Sequence, residues 1–177
     1  MFHLIPHAAN ASEAISAIAV HVRRCGDMVS LRHRCYGRLA EVVWPTAAAP
    51  DRQDGLWRHS CFEAFVARPG NPAYVELNMA PSGAWAASRF GDYRDGMAAA
   101  AAAPQRDFGW WKGEAVLTAH WRLPDLARAA DWQLGLSAVI ETRDGARSYF
   151  ALAHAAGPPD FHKRDCFIAS LPAPSGA

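Results

Sequence analysis

What this chain lacks narrows its function before any motif is considered. It has almost no net charge, since 18 Lys and Arg against 17 Asp and Glu leave a formal +1. That balance gives no electrostatic pull toward nucleic acid or an anionic membrane surface. Lysine is nearly missing, with Lys112 and Lys163 the only two. The excess of Arg and the abundant Ala are a bias of GC-rich bacterial genomes and carry no functional message. No apolar run approaches the roughly 20 residues of a membrane span. The start, MFHLIPHAANASEAISAIAV, has neither the basic region nor the unbroken apolar stretch of a signal peptide. A cytoplasmic protein is therefore expected, and nothing in the sequence signals an oligomeric state. Cys25, Cys35, Cys61 and Cys166 show no paired C-x-x-C spacing, which argues against zinc and against a thioredoxin-type motif. Reduced, they would act as small core residues. There is no internal repeat and no dividing linker. Residues 1–177 are thus expected to form one domain, large enough to bury a core without staples.

What is there is alternation. Ile15–Arg24 places Ile18, Val20 and Val22 on one side, Cys25-Gly26-Asp27 turns, and Met28–Tyr36 alternates back, which predicts a hairpin. Leu39–Trp44 reads as a further strand ended by Pro45, followed by a polar, proline-containing loop over 46–54. Ala115–Leu123 and Trp132–Thr142 alternate again, Asp144-Gly145 is a hairpin signal, and Ser148–His154 returns. Pro124–Ala130 reads as one or two helical turns. The alanine run Ala98–Ala103 reads equally as short helix or surface loop. Gly157-Pro158-Pro159 breaks the chain before a last strand candidate, Asp160–Leu171. Many short strands at this spacing predict an all-β fold, a single antiparallel β-sandwich or barrel.

The most informative segment is Gly55–Phe90, GLWRHSCFEAFVARPGNPAYVELNMAPSGAWAASRF. It holds three alternating runs separated by the turn sequences RPGNP and APSG. Trp57 and Glu63 share one parity on the first run, and Glu76 and Asn78 share one on the second. Residues of one parity face one side of a strand. If Arg68–Pro72 closes a hairpin, Glu63 lies close to Asn78 across the ladder. Phe62, Val66, Val75, Leu77 and Met79 then make the opposite, apolar face. An aromatic, two carboxylates and an amide on one face describe a binding surface. Carboxylate and amide oxygens accept hydroxyl hydrogens, and Arg89 on the third run would donate a fork. A tryptophan face covers the C–H face of a pyranose.

LWRHSCFEAFV, YVELNMAPSGAW and the later DFHKRDCF resemble the DOMON-like proteins, relatives of the family 9 carbohydrate-binding modules. The resemblance runs from about Ile15 to Leu171 and is most specific over Trp57–Glu63 and the E-x-N-x-x-P-S-G-x-W block. It implies a β-sandwich of jelly-roll or immunoglobulin-like kind with a ligand site on or beside one sheet. The wider superfamily binds both sugars and haem. In the sugar-binding modules two aromatics sandwich the ring. By order along the chain Phe161 matches the second, which those modules fill with tryptophan. The relatives also carry structural calcium, for which no dense acidic loop stands out here.

The expected function is a non-catalytic module binding a carbohydrate or sugar derivative, a small-molecule partner. Trp57 and Phe161 would stack, and Glu63, Glu76, Asn78, Arg89 and His162 would hydrogen-bond. His154, His162, Lys163, Arg164 and Asp165 cluster late in the chain, with Lys163 and Arg164 read as a solvated turn. Two alternatives stay open. Haem would need a His and a Met across a pocket, and Met79, Met97, His154 and His162 are the available residues. A glycosidase would use Glu63 and Glu76 as its carboxyl pair. His59 and Glu63 share a parity that offers two ligands to a cation. An exposed Trp110-Trp111 pair would instead suggest a protein partner.

Overall fold

Alternation becomes strand in twelve places among the described residues, which in the computed structural model are 1–46, 51–100, 103–126 and 131–174. The strands are β1 (Phe2–Pro6), β2 (Ile15–Cys25), β3 (Met28–Gly37), β4 (Cys61–Ala67), β5 (Tyr74–Met79) and β6 (Trp85–Phe90). They continue as β7 (Ala98–Ala99), β8 (Gln105–Trp111), β9 (Glu114–Arg122), β10 (Trp132–Glu141), β11 (Arg147–Ala151) and β12 (Ala169–Leu171). One layer runs β8-β9-β3-β2-β1 and the other β7-β6-β5-β4-β10-β11, every ladder antiparallel. β1 joins them, pairing β2 through Phe2–Leu4 and β11 through Ile5–Pro6. β12 lies end to end with β11 along β10. The fold is an antiparallel β-sandwich.

The core fills the space between the layers. Ile18, Val20, Val29, Leu31, Leu117, Ala119 and Trp121 come from one sheet. Phe62, Ala64, Val66, Val75, Leu77, Met79, Leu134, Leu136, Ala138 and Ile140 come from the other. Trp121 spans the gap, donating its Nε1–H to Met79 Sδ at 3.4 Å and meeting the Trp85 ring edge-on at 5.7 Å. Burying each large side chain here contributes roughly 1.5–3 kcal/mol.

Three expected elements differ. Leu39–Trp44 is not a strand, because its buried residues Leu39 and Val42 are spaced three apart. That is the period of a 3-10 turn, formed over Leu39–Glu41, after which Val42 makes a single bridge to Thr142. Asp160–Leu171 pairs only from Ala169. Consecutive burial of Cys166 and Phe167 breaks the alternation, and a 3-10 turn occupies Arg164–Cys166. In the alanine run, Ala98–Ala99 is extended and pairs with Ser88 and Arg89, while residues 101–102 lie outside the described residues. Of Pro124–Ala130, residues 127–130 also lie outside them. The strands β1 and β8 complete the sheets beyond what alternation predicted.

Candidate functional site

All seven residues of β4 are buried, so both faces of this strand are covered. Phe62, Ala64 and Val66 face the core. Cys61, Glu63, Phe65 and Ala67 face the opposite way, onto the outer side of the sheet. The register continues that outer row sideways: Glu63 stands against Asn78 and Phe65 against Glu76, then Asn78 against Ala86 and Glu76 against Ser88. On the other flank Ser137 of β10 pairs with Glu63, and Val139 pairs with Tyr149.

Three connections cover this face. The chain before β4 runs beside β6, with Gln53 N–H bonded to Trp85 O and Trp85 N–H to Asp51 O. Gly55, at φ 77, then turns it into a 3-10 helix over Leu56–Arg58. Leu56 buries itself against Cys61, Ala80 and Ala84, and its neighbour Trp57 is left 53% exposed. The turn after β6 carries Tyr93 and Arg94, the latter at φ 53. The loop after β11 carries Phe161 and His162. It is pinned by a second small core of Phe65, Ala67, Tyr74, Phe90, Cys166 and Phe167. Tyr74 and Phe90 stack there at 4.8 Å, and Phe65 meets Phe167 at 5.4 Å and His162 at 5.1 Å.

Between these connections lies an open cleft of about 690 Å³. Glu63, Glu76, Asn78, Ala86 and Ser88 form its floor. Trp57, Arg94, Met97, Tyr149, Phe161 and His162 line it as well.

The floor is electrostatically unusual. Glu63 is 3% exposed, and Ser137 Oγ donates to its Oε2 at 2.9 Å. Burial pushes its carboxyl up to about 8, with the nearby Glu76 charge acting the same way and the Ser137 bond opposing. Burial also raises Glu76, against the Asn78 amide and the Arg94 charge. His162 is pulled down to about 4, first by burial and then by Arg94. Its Nε2 lies 3.8 Å from Glu76 Oε1, but a neutral imidazole makes no ion pair there. Tyr74 Oη lies 2.7 Å from His162 Nδ1 and accepts the Arg94 N–H at 3.2 Å. Tyr74 Oη and His162 Nδ1 share one hydrogen bond, whose direction follows the ring's tautomer. Asp160 ties the loop together, accepting from Tyr93 Oη at 2.5 Å, Arg94 Nη2 at 3.0 Å and the His162 N–H at 3.1 Å.

Six of the seven expected site residues line this one cleft: Trp57, Glu63, Glu76, Asn78, Phe161 and His162. Trp57 arrives from a 3-10 turn before the strand, not by strand parity with Glu63. Arg89 does not join them. It shares the parity of Ala87, leaves from the opposite face, and pairs with Asp125 at 3.0 Å. Arg94 supplies the cleft's guanidinium instead. Only its place in a turn directly after a floor strand hinted at it. Tyr149 was also missed, although its register with Val139 follows once the β10–β11 hairpin is drawn. Arg164 is not a solvated turn residue: it is half-buried over the Phe167 ring at 4.7 Å and donates to Gln133 Oε1 at 2.9 Å. His59 pairs with Glu141 at 2.7 Å rather than with Glu63.

Among the described residues no group of three His, Cys, Asp or Glu side chains is placed to hold a metal. Of the residues expected for haem, Met97 and His162 line the cleft, and His162 Nδ1 is taken up by Tyr74 Oη at 2.7 Å. Met79 faces the core, and His154 Nε2 is 2.9 Å from the Ile5 carbonyl.

Comparison with known sequences matches the chain to no family and to no curated protein. Comparison of folds does find relatives. A candidate carbohydrate-binding protein from Bacteroides uniformis superposes with a TM-score of 0.64 at 12% identity, covering 85% of this chain and 75% of that one. A family 9 carbohydrate-binding module from Caldicellulosiruptor kristjanssonii, in complex with cellotriose, superposes with a TM-score of 0.50 at 9% identity, covering 83% and 70%. The likeness is one of fold: this chain is built on the β-sandwich that carbohydrate-binding modules use.

Proposed function

We propose that the chain is a non-catalytic carbohydrate-binding module, DOMON-like and similar to family 9, that holds a sugar ring in the cleft over β4–β6. One observation carries this reading: a half-exposed tryptophan, Trp57, stands at a cleft whose floor is a buried row of acceptors, Glu63, Glu76 and Asn78. A pyranose has the matching anatomy, an apolar C–H face and a rim of hydroxyl donors. Phe161 adds a second aromatic from a separate loop, held near Tyr149 and His154 at 6.3 Å from each. The fold relatives, one of them described with cellotriose, support the same class of ligand. An open site with few contacts binds weakly, since those contacts must offset the lost freedom of the ligand.

Hydrolysis is the weaker reading. Glu63 and Glu76 sit side by side on one floor, whereas a glycosidase pair flanks the scissile bond from two sides. The test is a thermal-shift series with glucose, cellotriose and other neutral sugars at millimolar concentration. A ligand bound only by the native state raises the melting temperature. At least one sugar is expected to do so with the parent protein and not with Trp57→Ala. A flat response across the series overturns the proposal.

A further inference from the structure

The cleft is rich in carboxyls, of which Asp54 is paired with Arg52 at 3.1 Å and Glu63 and Glu76 feel only the more distant Arg94 charge. Among its described lining residues the carboxyls come from Asp54, Glu63 and Glu76. The lining guanidinium, Arg94, is already engaged by Asp160. His162 brings no charge at neutral pH. The groups acting on Glu63 are Cys61 on its own strand, Glu76 on β5, Ser137 on β10 and Arg94, and Tyr149 of β11 lines the same cleft. The loops add Asp54, Arg94 and His162 to the lining, with Asp160 behind Arg94.

The floor is also short of hydrogen-bond donors. The Ser137 hydroxyl is the one hydrogen bond to the Glu63 carboxyl among the described residues. The Asn78 amide serves Glu76, and among the described residues its oxygen has only the weak Cys61 thiol at 3.9 Å. Two carboxyls, one of them able to lose its proton, and an amide oxygen thus stand together on adjacent strands, with Trp57, Phe90, Tyr149 and Phe161 lining the same cleft. A hydroxyl offers such a cluster one proton. An ammonium offers three N–H donors and a charge that both carboxylates and aromatic faces attract.

Resting on the sugar-binding reading, we infer that the cleft selects sugars bearing a free primary amine, taken as the ammonium by Glu63, Glu76 and Asn78 while the ring lies on Trp57. Binding then moves a proton. The ammonium keeps all of its own protons, and the Glu63 carboxyl, protonated in the free protein near neutral pH, gives its proton to the solvent as it becomes the counter-ion.

The experiment is calorimetric titration of the full chain with D-glucosamine, D-glucose and N-acetyl-D-glucosamine in mildly acidic solution, about pH 6, where the free amino sugar is already the ammonium and Glu63 still holds its proton, in two buffers of different ionisation enthalpy. Glucosamine is expected to bind about tenfold or more tighter than either neutral sugar, as charge-assisted hydrogen bonds would give. Its heat should differ between buffers by the release of nearly one proton, and that of glucose should not. In Glu63→Gln, which keeps the shape and the Ser137 bond, the proton release should vanish and the preference for glucosamine over glucose should fall toward unity. Equal affinity for glucosamine and glucose, without proton release, overturns the inference and leaves the sugar-binding reading standing. No binding of any of the three overturns both. The comparison of ligands on the parent protein decides the matter even if Glu63→Gln fails to fold.

Discussion

Tyr74 on β5 places its hydroxyl 2.7 Å from Nδ1 of His162 in the loop after β11, and so fastens the floor of the cleft to one of its walls. The same oxygen accepts the Arg94 N–H, so one side chain joins a strand, a turn and a loop. Tyr74→Phe keeps the ring stacked on Phe90 and leaves His162 and the Arg94 amide without that partner. A loss of about 1–2 kcal/mol in urea denaturation is expected, together with weaker sugar binding. Unchanged affinity would show that the loop's position does not matter to the ligand.

Trp57→Ala separates binding from stability. The indole is half in solvent, and Leu56 rather than Trp57 anchors the turn. Stability should stay within about 0.5 kcal/mol of the parent, while titration with sugar should lose its signal. Leu56→Ala is expected to do the reverse first, costing about 2 kcal/mol or more by opening a cavity. A marked drop in melting temperature for Trp57→Ala would recast that residue as structural.

Stability should fall at both ends of the pH scale, for separate reasons. His33 lies in the core, 4.9 Å from the Phe62 ring, and among the described residues neither of its ring nitrogens has a partner. Burial lowers its pKa from 6.5 to about 3. Below about 6.5 the unfolded chain takes up a proton that the native state refuses. Stability therefore declines as pH falls through that window, by up to about 1.4 kcal/mol per pH unit. Glu63 works from the other side. Its native carboxyl holds a proton up to about 8, against an ordinary 4.5. The unfolded chain gives that proton up first, and stability declines as pH rises from 4.5 toward 8. His33→Leu should flatten the acid arm of a stability–pH curve, and Glu63→Gln the alkaline arm. Variant curves running parallel to the parent's would contradict both assignments.

Gly135→Ala tests how the last loop is seated. A Cβ on Gly135 of β10 would come 2.7 Å from Cδ1 of Phe167, with Phe65 Cβ at 3.4 Å. Phe167 belongs to the small core under His162, so the added methyl must displace it. Overpacking of this kind typically costs about 1–3 kcal/mol, and the expected companion is reduced sugar affinity. Full stability by denaturation would mean that Phe167 has room to move.

The strand pattern made most of the sandwich legible, because a period of two leaves only one face for the core. Glu63 opposite Asn78 followed from the hairpin at Arg68–Pro72 alone. Legibility ended where side chains are placed by turns. Trp57 reaches the cleft through a 3-10 turn whose period is three. Arg94 does so through a left-handed backbone in a stretch with no alternation to read. Arg89 was misplaced because its charge suggested a partner that parity denies it. Leu39 and Val42, three residues apart, likewise belong to a 3-10 turn where alternation reads a strand. Phe161 and His162 sit on a loop whose position depends on Phe167 and Gly135, contacts that no local pattern encodes.

The most direct test of the central claim follows the indole N–H signals of the seven tryptophans by NMR during titration with glucose and with glucosamine. The account predicts that the Trp57 signal moves with saturation and that those of Trp110 and Trp111, exposed on β8, stay fixed. Movement confined to Trp110 and Trp111, or no movement at all at millimolar sugar, would contradict it.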